Sequence, residues 1–391
     1  MISVTDAKKL ILENCGASIV KSLTLIEANG YILAEPVFAL IDTPPFDQSA
    51  MDGYAFSYEN WDKKNPLLVQ GEIQTGYYSN NPVPAQEAVR IFTGAPLPPD
   101  TDTVVMQEKI IKAGNTIHIL DEQVYQGSHV RLQGSQTLKG EIALRQGQLL
   151  TPAGLSFLAG IGIQTVNVFS KPTVSIIVTG KELIIAGNPI TKGKIFESNS
   201  IGLVSALQQS GLSPVSVEVI DDEEEDITNA ITRQLQVDIL ILTGGVSVGD
   251  YDLVPAALEK CGVNKIFHKV KQKPGKPFYF GRCGQTLVFA LPGNPAAVMS
   301  CYYEYVVLAI SHFTHKNYFK RLLLPLADDF YKKPGLTYFL KGKTSDHDVA
   351  ILNNQESYLL NSFAIADCLL ELDEDKTDFK KGELVNISMI I

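Results

Sequence analysis

Residues Val237-Asp-Ile-Leu-Ile-Leu-Thr-Gly-Gly245, VDILILTGG, carry four consecutive aliphatic residues into a Thr-Gly-Gly turn. A strand that is aliphatic on both faces is buried on both, as in a parallel sheet covered by helices. The flanking segments repeat the design. TVSIIVTG (173–180) is a buried strand followed by the amphipathic helix SIGLVSALQQSG (200–211). VSVEVI (215–220) is a strand followed by the helix DDEEEDITNAITRQL (221–235). After VDILILTGG come the helix DLVPAALEKCG (252–262) and a last strand, loop and long helix in TLVFALPGNPAAVMSCYYEYVVLAI (286–310). Strands alternating with helices predict a three-layer α/β domain with a parallel-rich sheet.

Working outward, residues 3–14 carry a helical pattern (Val4, Ala7, Leu10, Ile11) with Thr5 or Asp6 as N-cap. From about 31 to 145 the texture changes to short runs separated by Gly, Pro, Asn and Asp, such as LLVQGEIQTG (67–76) and NTIHIL (115–120), which predict hairpins or a small barrel. TPAGLSFLAGIGIQT (151–165) reads as a helix capped by Thr151 with Pro152 at its first position. It resembles the first helix in texture, so the two are expected to share one discontinuous domain. From about 322 the β texture returns in TYFLKG, VAILNN and ELVNISMI. The expected organisation is a discontinuous N-terminal helical domain (1–42 and 140–170), an inserted β-rich domain (43–139), the α/β domain (171–321) and a small C-terminal β-barrel domain (322–391).

A chain of 391 residues exceeds what one core supports, and 45% apolar with 19% charged residues is ordinary globular composition. The net charge of −10, from 43 acids and 33 bases, argues against nucleic acid or an anionic membrane as partner. The five cysteines form no CxxC pair, so reduced cytoplasmic thiols are expected. MISVTDAKKLILENCG breaks its apolar runs with charges and reads as neither signal peptide nor membrane span.

In parallel α/β sheets ligands collect at the carboxyl ends of the strands. Three loops fall there: VTGKEL with Thr179, Gly180 and Glu182; LTGGVSVGDYD with Gly244, Gly245, Ser247, Asp250 and Asp252; and ALPGNPAA with Pro292, Gly293, Asn294 and Pro295. Glycines allow close backbone approach, and carboxylates suit a divalent cation bridging to phosphate. Each loop alone is also an ordinary strand-to-helix turn; three in one sheet favour a phosphate and metal site. GNPITKGKI (187–195) has the wrong spacing for a P-loop, and GIGIQT (160–165) is an incomplete dinucleotide fingerprint. FHKVKQKPGKPFYFGR (267–282) packs Lys269, Lys271, Lys273, Lys276 and Arg282 into an extended, proline-interrupted stretch, read as a solvated face or as lysines turned to an oxyanion in a cleft. The DDEEED run reads first as acids complementing a helix N-terminus, with Asp221 or Asp222 available to a cation. His118, His312 and His315 read as structural, without zinc spacing. In TPPFDQSAMDGYA (43–55), Pro44 and Pro45 forbid helix, Gly53 permits a bend, and Asp47 and Asp52 become exposed carboxylates.

PPFDQSAMDGYA, RIFTGAPLPPDTDTVVMQE, GGVSVGDYD, KPGKPFYFG and LPGNPAAVMS, in this order, resemble the molybdopterin molybdenumtransferase family, the MoeA-type proteins related to the C-terminal domain of gephyrin. The resemblance runs from the first helix to KGELVNISMI (381–390). It implies an enzyme that inserts molybdenum from molybdate into adenylylated molybdopterin and releases AMP, using Mg2+. It further implies a cytoplasmic homodimer with its cleft between subunits, and molybdopterin adenylyltransferase and molybdoenzyme maturation proteins as possible partners. By the same matching, Asp52, Thr93, Glu182 and Asp252 are implied as catalytic, with Asp52, Glu182 and Asp252 as metal ligands. Arg131, Thr179, Gly180, Ser198, Asn199, Gly244, Gly245, Ser247, Lys269, Lys273, Lys276, Pro292, Gly293, Asn294 and Pro295 are implied to bind substrate. Departures from the pattern are Gln136 at a usual acid, Lys181 and Glu197 where aspartate is common, and Lys341 as the nearest match to a common arginine. Two other activities stand beside the transferase. Adenylylation of molybdopterin is the first, against which the two β regions argue. A gephyrin-like scaffold is the second, for which no linker or second partner domain is evident.

Overall fold

The computed structural model describes residues 1–246 and 253–390. Its contacts divide the chain into two compact units, Ser22–Val168 and the remainder, Met1–Lys21 with Phe169–Ile391. Helix α1 (Val4–Asn14) opens the second of these. Its N-cap is Ser3, whose extended backbone lets the hydroxyl accept from Asp6 N–H at 3.0 Å, so neither Thr5 nor Asp6 serves as the cap. The helix does not share a core with the 151–165 helix. Val4, Ala7 and Ile11 are buried with the aliphatic face of the α/β sheet and with the aromatic residues Phe278, Tyr302 and Tyr305.

The Ser22–Val168 unit holds a six-stranded, mostly antiparallel sheet in the order 103–106, 53–56, 87–91, 67–73, 116–119, 110–113. All four residues of Gly53–Phe56 are buried. Gly53 does not make a bend. A Cβ there would lie 2.0 Å from the Val105 carbonyl oxygen, so the glycine permits close strand pairing. A second core in the same unit surrounds α2 (Pro152–Gly160), capped by Thr151 as its sequence predicts, and buries Leu33, Leu150, Leu158, Ile161 and Val168.

The α/β sheet has strand order 216–220, 174–179, 239–243, 286–291, 279–283, 264–268. The first four strands run parallel and the last two add antiparallel pairings. Helices α3 (Asn199–Gln209), α4 (Glu224–Gln234), α5 (Val254–Lys260), α6 (Pro295–Cys301) and α7 (Val307–Thr314) supply the cover. Separate cores on the two faces explain the continuous aliphatic runs: one buries Ile176, Ile241 and Phe289 with α1, α3, α6 and α7, the other Ile177, Leu240 and Val288 with α4 and α5. A π-helical turn, Tyr302–Val306, joins α6 to α7 into the long predicted helix.

The C-terminal β sheet runs 272–273, 337–344, 368–372, 384–389, 321–325, with 349–351 also pairing to 337–344. Its first strand comes from the lysine-rich stretch: Gln272 and Lys273 pair in parallel with Thr337 and Tyr338. Among the described residues no helix is long and apolar enough to cross a membrane.

Candidate active site

Strand register decides which residues meet. Val178 lies beside Thr243, and Thr243 beside Leu291, so the loops after these three strands open at one edge of the sheet. Thr179, Glu182, Ser198, Asn199, Gly244, Gly245, Pro292, Gly293, Asn294 and Pro295, all candidates from sequence, line a single cleft of about 510 Å3. Gly180 lies in the turn between Thr179 and Glu182, where a Cβ would fall 2.8 Å from Leu183 Cγ. The Thr-Gly-Gly turn needs its glycines: Gly244 has φ +92°, and a Cβ on it would sit 2.3 Å from the Thr179 carbonyl oxygen. Asn199 ties the loops together, its Nδ2 donating to the Gly293 carbonyl at 3.0 Å and reaching Thr243 Oγ1 at 3.4 Å. Ser247 and Asp252 lie outside the described residues.

The cleft is acidic. Glu182, Glu197 and Asp222 line it, and neither lysine nor arginine is among its described lining residues. Glu197 is already committed: its carboxylate accepts from Ser200 N–H at 2.8 Å and from the Ser200 hydroxyl, capping α3. Its role as a cap is one that glutamate and aspartate share. By contrast, three buried oxygens of the lining, Thr179 Oγ1, Asn199 Oδ1 and Asp222 Oδ1, have no hydrogen-bond partner among the described residues. Orphaned buried oxygens are costly unless a further group satisfies them. Asp222, read from sequence chiefly as a helix-terminal charge, is therefore a functional candidate, and its signal was the acid pair directly after a parallel strand. Lys181 does not enter the cleft; it forms an exposed ion pair with Glu223 at the start of α4.

The lysines are held elsewhere. Gln272, 1% exposed, donates to the Gly275 carbonyl at 3.0 Å and accepts from the Tyr305 hydroxyl, pinning the Lys-Pro-Gly-Lys turn to the core beside α6. Gly275 has φ +84°, and a Cβ there would meet Cys301 Sγ at 2.5 Å. Lys273 Nζ lies 5.2 Å from the Tyr338 ring centroid. Lys269 has a left-handed backbone (φ 76°), Lys276 is exposed, and none of the three is on the described cleft lining.

In the Ser22–Val168 unit, Asp52 and Thr93 come together as a pair. Asp52 Oδ1 accepts from Thr93 N–H at 2.8 Å and from its hydroxyl at 2.7 Å. The Thr93 amide first and its hydroxyl second hold the Asp52 carboxyl below the usual aspartate range, with the Arg90 charge adding to the effect. Arg90, missed from sequence although it begins the RIFTG motif, donates to the Gly53 carbonyl at 3.0 Å and packs over Tyr54 and Phe92. Asp47 accepts from Gln133 N–H at 2.7 Å, so its carboxylate braces the loop. Arg131 is exposed and pairs in register with Gln48 of the same loop. Gln136 donates its backbone N–H to the Thr43 carbonyl at 2.9 Å. Among the described residues no three His, Cys, Asp or Glu side chains are gathered as a ready metal site.

Fold and cleft together define a class: multidomain α/β proteins that hold a small molecule at the carboxyl ends of parallel strands. Within it, residues 2–162 match the "MoeA N-terminal region (domain I and II)", 175–312 the "Probable molybdopterin binding domain" and 324–390 the "MoeA C-terminal region (domain IV)". The molybdopterin molybdenumtransferase of Haemophilus influenzae is 31% identical over 99% of this chain and 98% of its own, and that of a Nostoc species 34% identical over 92% and 81%. A crystal structure of the molybdopterin biosynthesis moeA protein from Pyrococcus horikoshii OT3 superposes with a TM-score of 0.81 at 30% identity, covering all of both chains. The chain belongs to the molybdopterin molybdenumtransferase family.

Proposed function

We infer that this protein is a transferase of molybdenum cofactor biosynthesis, inserting molybdenum from molybdate into adenylylated molybdopterin with release of AMP. The observation that carries the reading is the cleft itself, where the glycine turns of three strand ends converge on buried oxygens without a partner among the described residues. Full-length similarity to relatives named for this activity supports it.

The chemistry divides between binding and charge. The glycines of the Thr-Gly-Gly and Pro-Gly-Asn turns carry no side chain, so a phosphate can approach the backbone closely. A cleft lined by carboxylates repels a phosphoanhydride unless a cation intervenes. The oxygens of Thr179, Asn199, Asp222 and Glu182 are the hard donors that magnesium prefers, and Mg2+ keeps several waters, so it does not need a closed protein cage. We propose Mg2+ held by Asp222 and Glu182, with Asp252 as a further carboxylate; bound there it would neutralise phosphoanhydride charge. Asp52, kept ionised by Thr93, would orient a water or cation, and Lys269, Lys273 and Lys276 would attract molybdate.

We also propose a homodimer in the cytoplasm, acting between molybdopterin adenylyltransferase and the proteins that mature molybdoenzymes. The five free thiols fit a reducing compartment. The reading is tested by supplying adenylylated molybdopterin, molybdate and Mg2+, without ATP, and adding the product to an apo-molybdoenzyme. Activation that needs no ATP is expected. Activation only with ATP and unadenylylated molybdopterin would reassign the protein to the adenylylation step.

A further inference from the structure

A segment of the C-terminal sheet region reaches the cleft and is built around a buried cation. Lys341, only 2% exposed, directs its Nζ at the carbonyls of Asn354 (2.7 Å), Leu359 (3.2 Å) and Glu356 (3.4 Å). In sequence Lys341 is the nearest match to a common family arginine. Here the ammonium closes residues 354–359 into a loop, and burial lowers its pKa from the ordinary lysine value. Gln355 adds bonds in both directions to the Lys341 backbone.

The loop so held does two things at the cleft. The Ser357 carbonyl accepts from Ala296 N–H at 3.0 Å and Ala297 N–H at 3.3 Å, and Ser357 Oγ accepts from Asn294 Nδ2 at 2.8 Å. The first N–H groups of α6 are therefore satisfied by protein and are not offered to an anion. One residue further on, Tyr358 projects into the lining and remains 64% exposed. Among the described lining residues only Phe196 and Tyr358 are aromatic, the others being glycines, prolines, aliphatics and oxygen-bearing side chains.

We propose that Tyr358 is a stacking platform for a planar heteroaromatic ring of the substrate, positioned by the Lys341-centred loop; this rests on the function proposed above. An exposed aromatic face at the mouth of a polar cleft is suited to stack on a flat ring, while the carboxylates of the floor take the charged end through the proposed Mg2+. Adenylylated molybdopterin carries two such rings, adenine and pterin. Their shared flatness is what the platform reads.

The test titrates AMP and, separately, molybdopterin into wild type, Tyr358→Ala and Tyr358→Phe, and measures KM and kcat for AMP release. For Tyr358→Ala we expect about tenfold weaker binding of one probe, a matching rise in KM and kcat within about twofold, with Tyr358→Phe like wild type. Which probe weakens identifies the ring. Unchanged binding of both probes, a loss in kcat with KM unchanged, or equal loss in Tyr358→Phe would each overturn the platform. Lys341→Gln should raise KM in the wild-type background but add nothing to Tyr358→Ala; an additive rise would overturn its role as a positioning residue. A wild type that binds AMP but releases none from the substrate would sink the transferase reading and leave the platform standing.

Discussion

Asp52 and Thr93 show what a single pair of residues settles. Both were named from motifs 41 positions apart, and the structure joins them by two hydrogen bonds to one carboxylate oxygen. Because the Asp52 pKa is depressed in the fold, its charge and the stability these bonds give are present above the ordinary aspartate value and lost as pH falls through the depressed one. Thr93→Val should move the Asp52 carboxyl titration upward, read by carbon NMR, and carry the acid limb of the activity profile with it; an unmoved titration would contradict the assignment. Legibility at this scale was uneven. Glycines that need positive φ announce themselves, as at Gly244, whereas Asp222 looked like one acid among six because its orphaned oxygen is a fact of packing. Gly53 was misread because its requirement is close approach, which no local pattern encodes.

Among elements, the turns depend on contacts the sequence does not display. Gly275→Ala combines an unfavourable φ with a Cβ 2.5 Å from Cys301 Sγ, and should cost on the order of 2 kcal/mol or more in urea unfolding. Gln272→Leu leaves the Tyr305 hydroxyl unpaired and the Gly275 carbonyl with only the Cys301 Sγ contact at 4.0 Å, and should cost about 2–4 kcal/mol. Wild-type stability in either variant would show that the lysine turn is not braced as described. Aliphatic runs made the α/β strands readable, since burial on both faces leaves a continuous signature. The two-residue strand Gln272–Lys273 was not readable as an edge of the C-terminal sheet, because its partner Thr337–Thr344 lies more than 60 positions on. Likewise α1 resembled α2 in texture but found its core through Val4, Ala7 and Ile11.

At the level of the whole molecule, α1 fastens the α/β core to the C-terminal sheet. Lys8 Nζ lies 2.7 Å from Glu304, which is 1% exposed, and 2.9 Å from Glu371. Lys8→Met would strand a buried carboxylate and should cost about 3–5 kcal/mol; a thermal scan showing no loss would refute the fastening. The proposed homodimer predicts twice the chain mass by light scattering at micromolar concentration, and a monomer would remove that proposal. What the sequence could carry was the order of motifs and the alternation of strands and helices; what it could not was which side chains each oxygen in the cleft would be left without. The central claim is that this cleft drives metal insertion, and AMP release from adenylylated molybdopterin with and without molybdate tests it most directly. The account predicts release that depends on molybdate and falls at least tenfold in Asp222→Asn; release independent of molybdate, or undiminished in that variant, would contradict it.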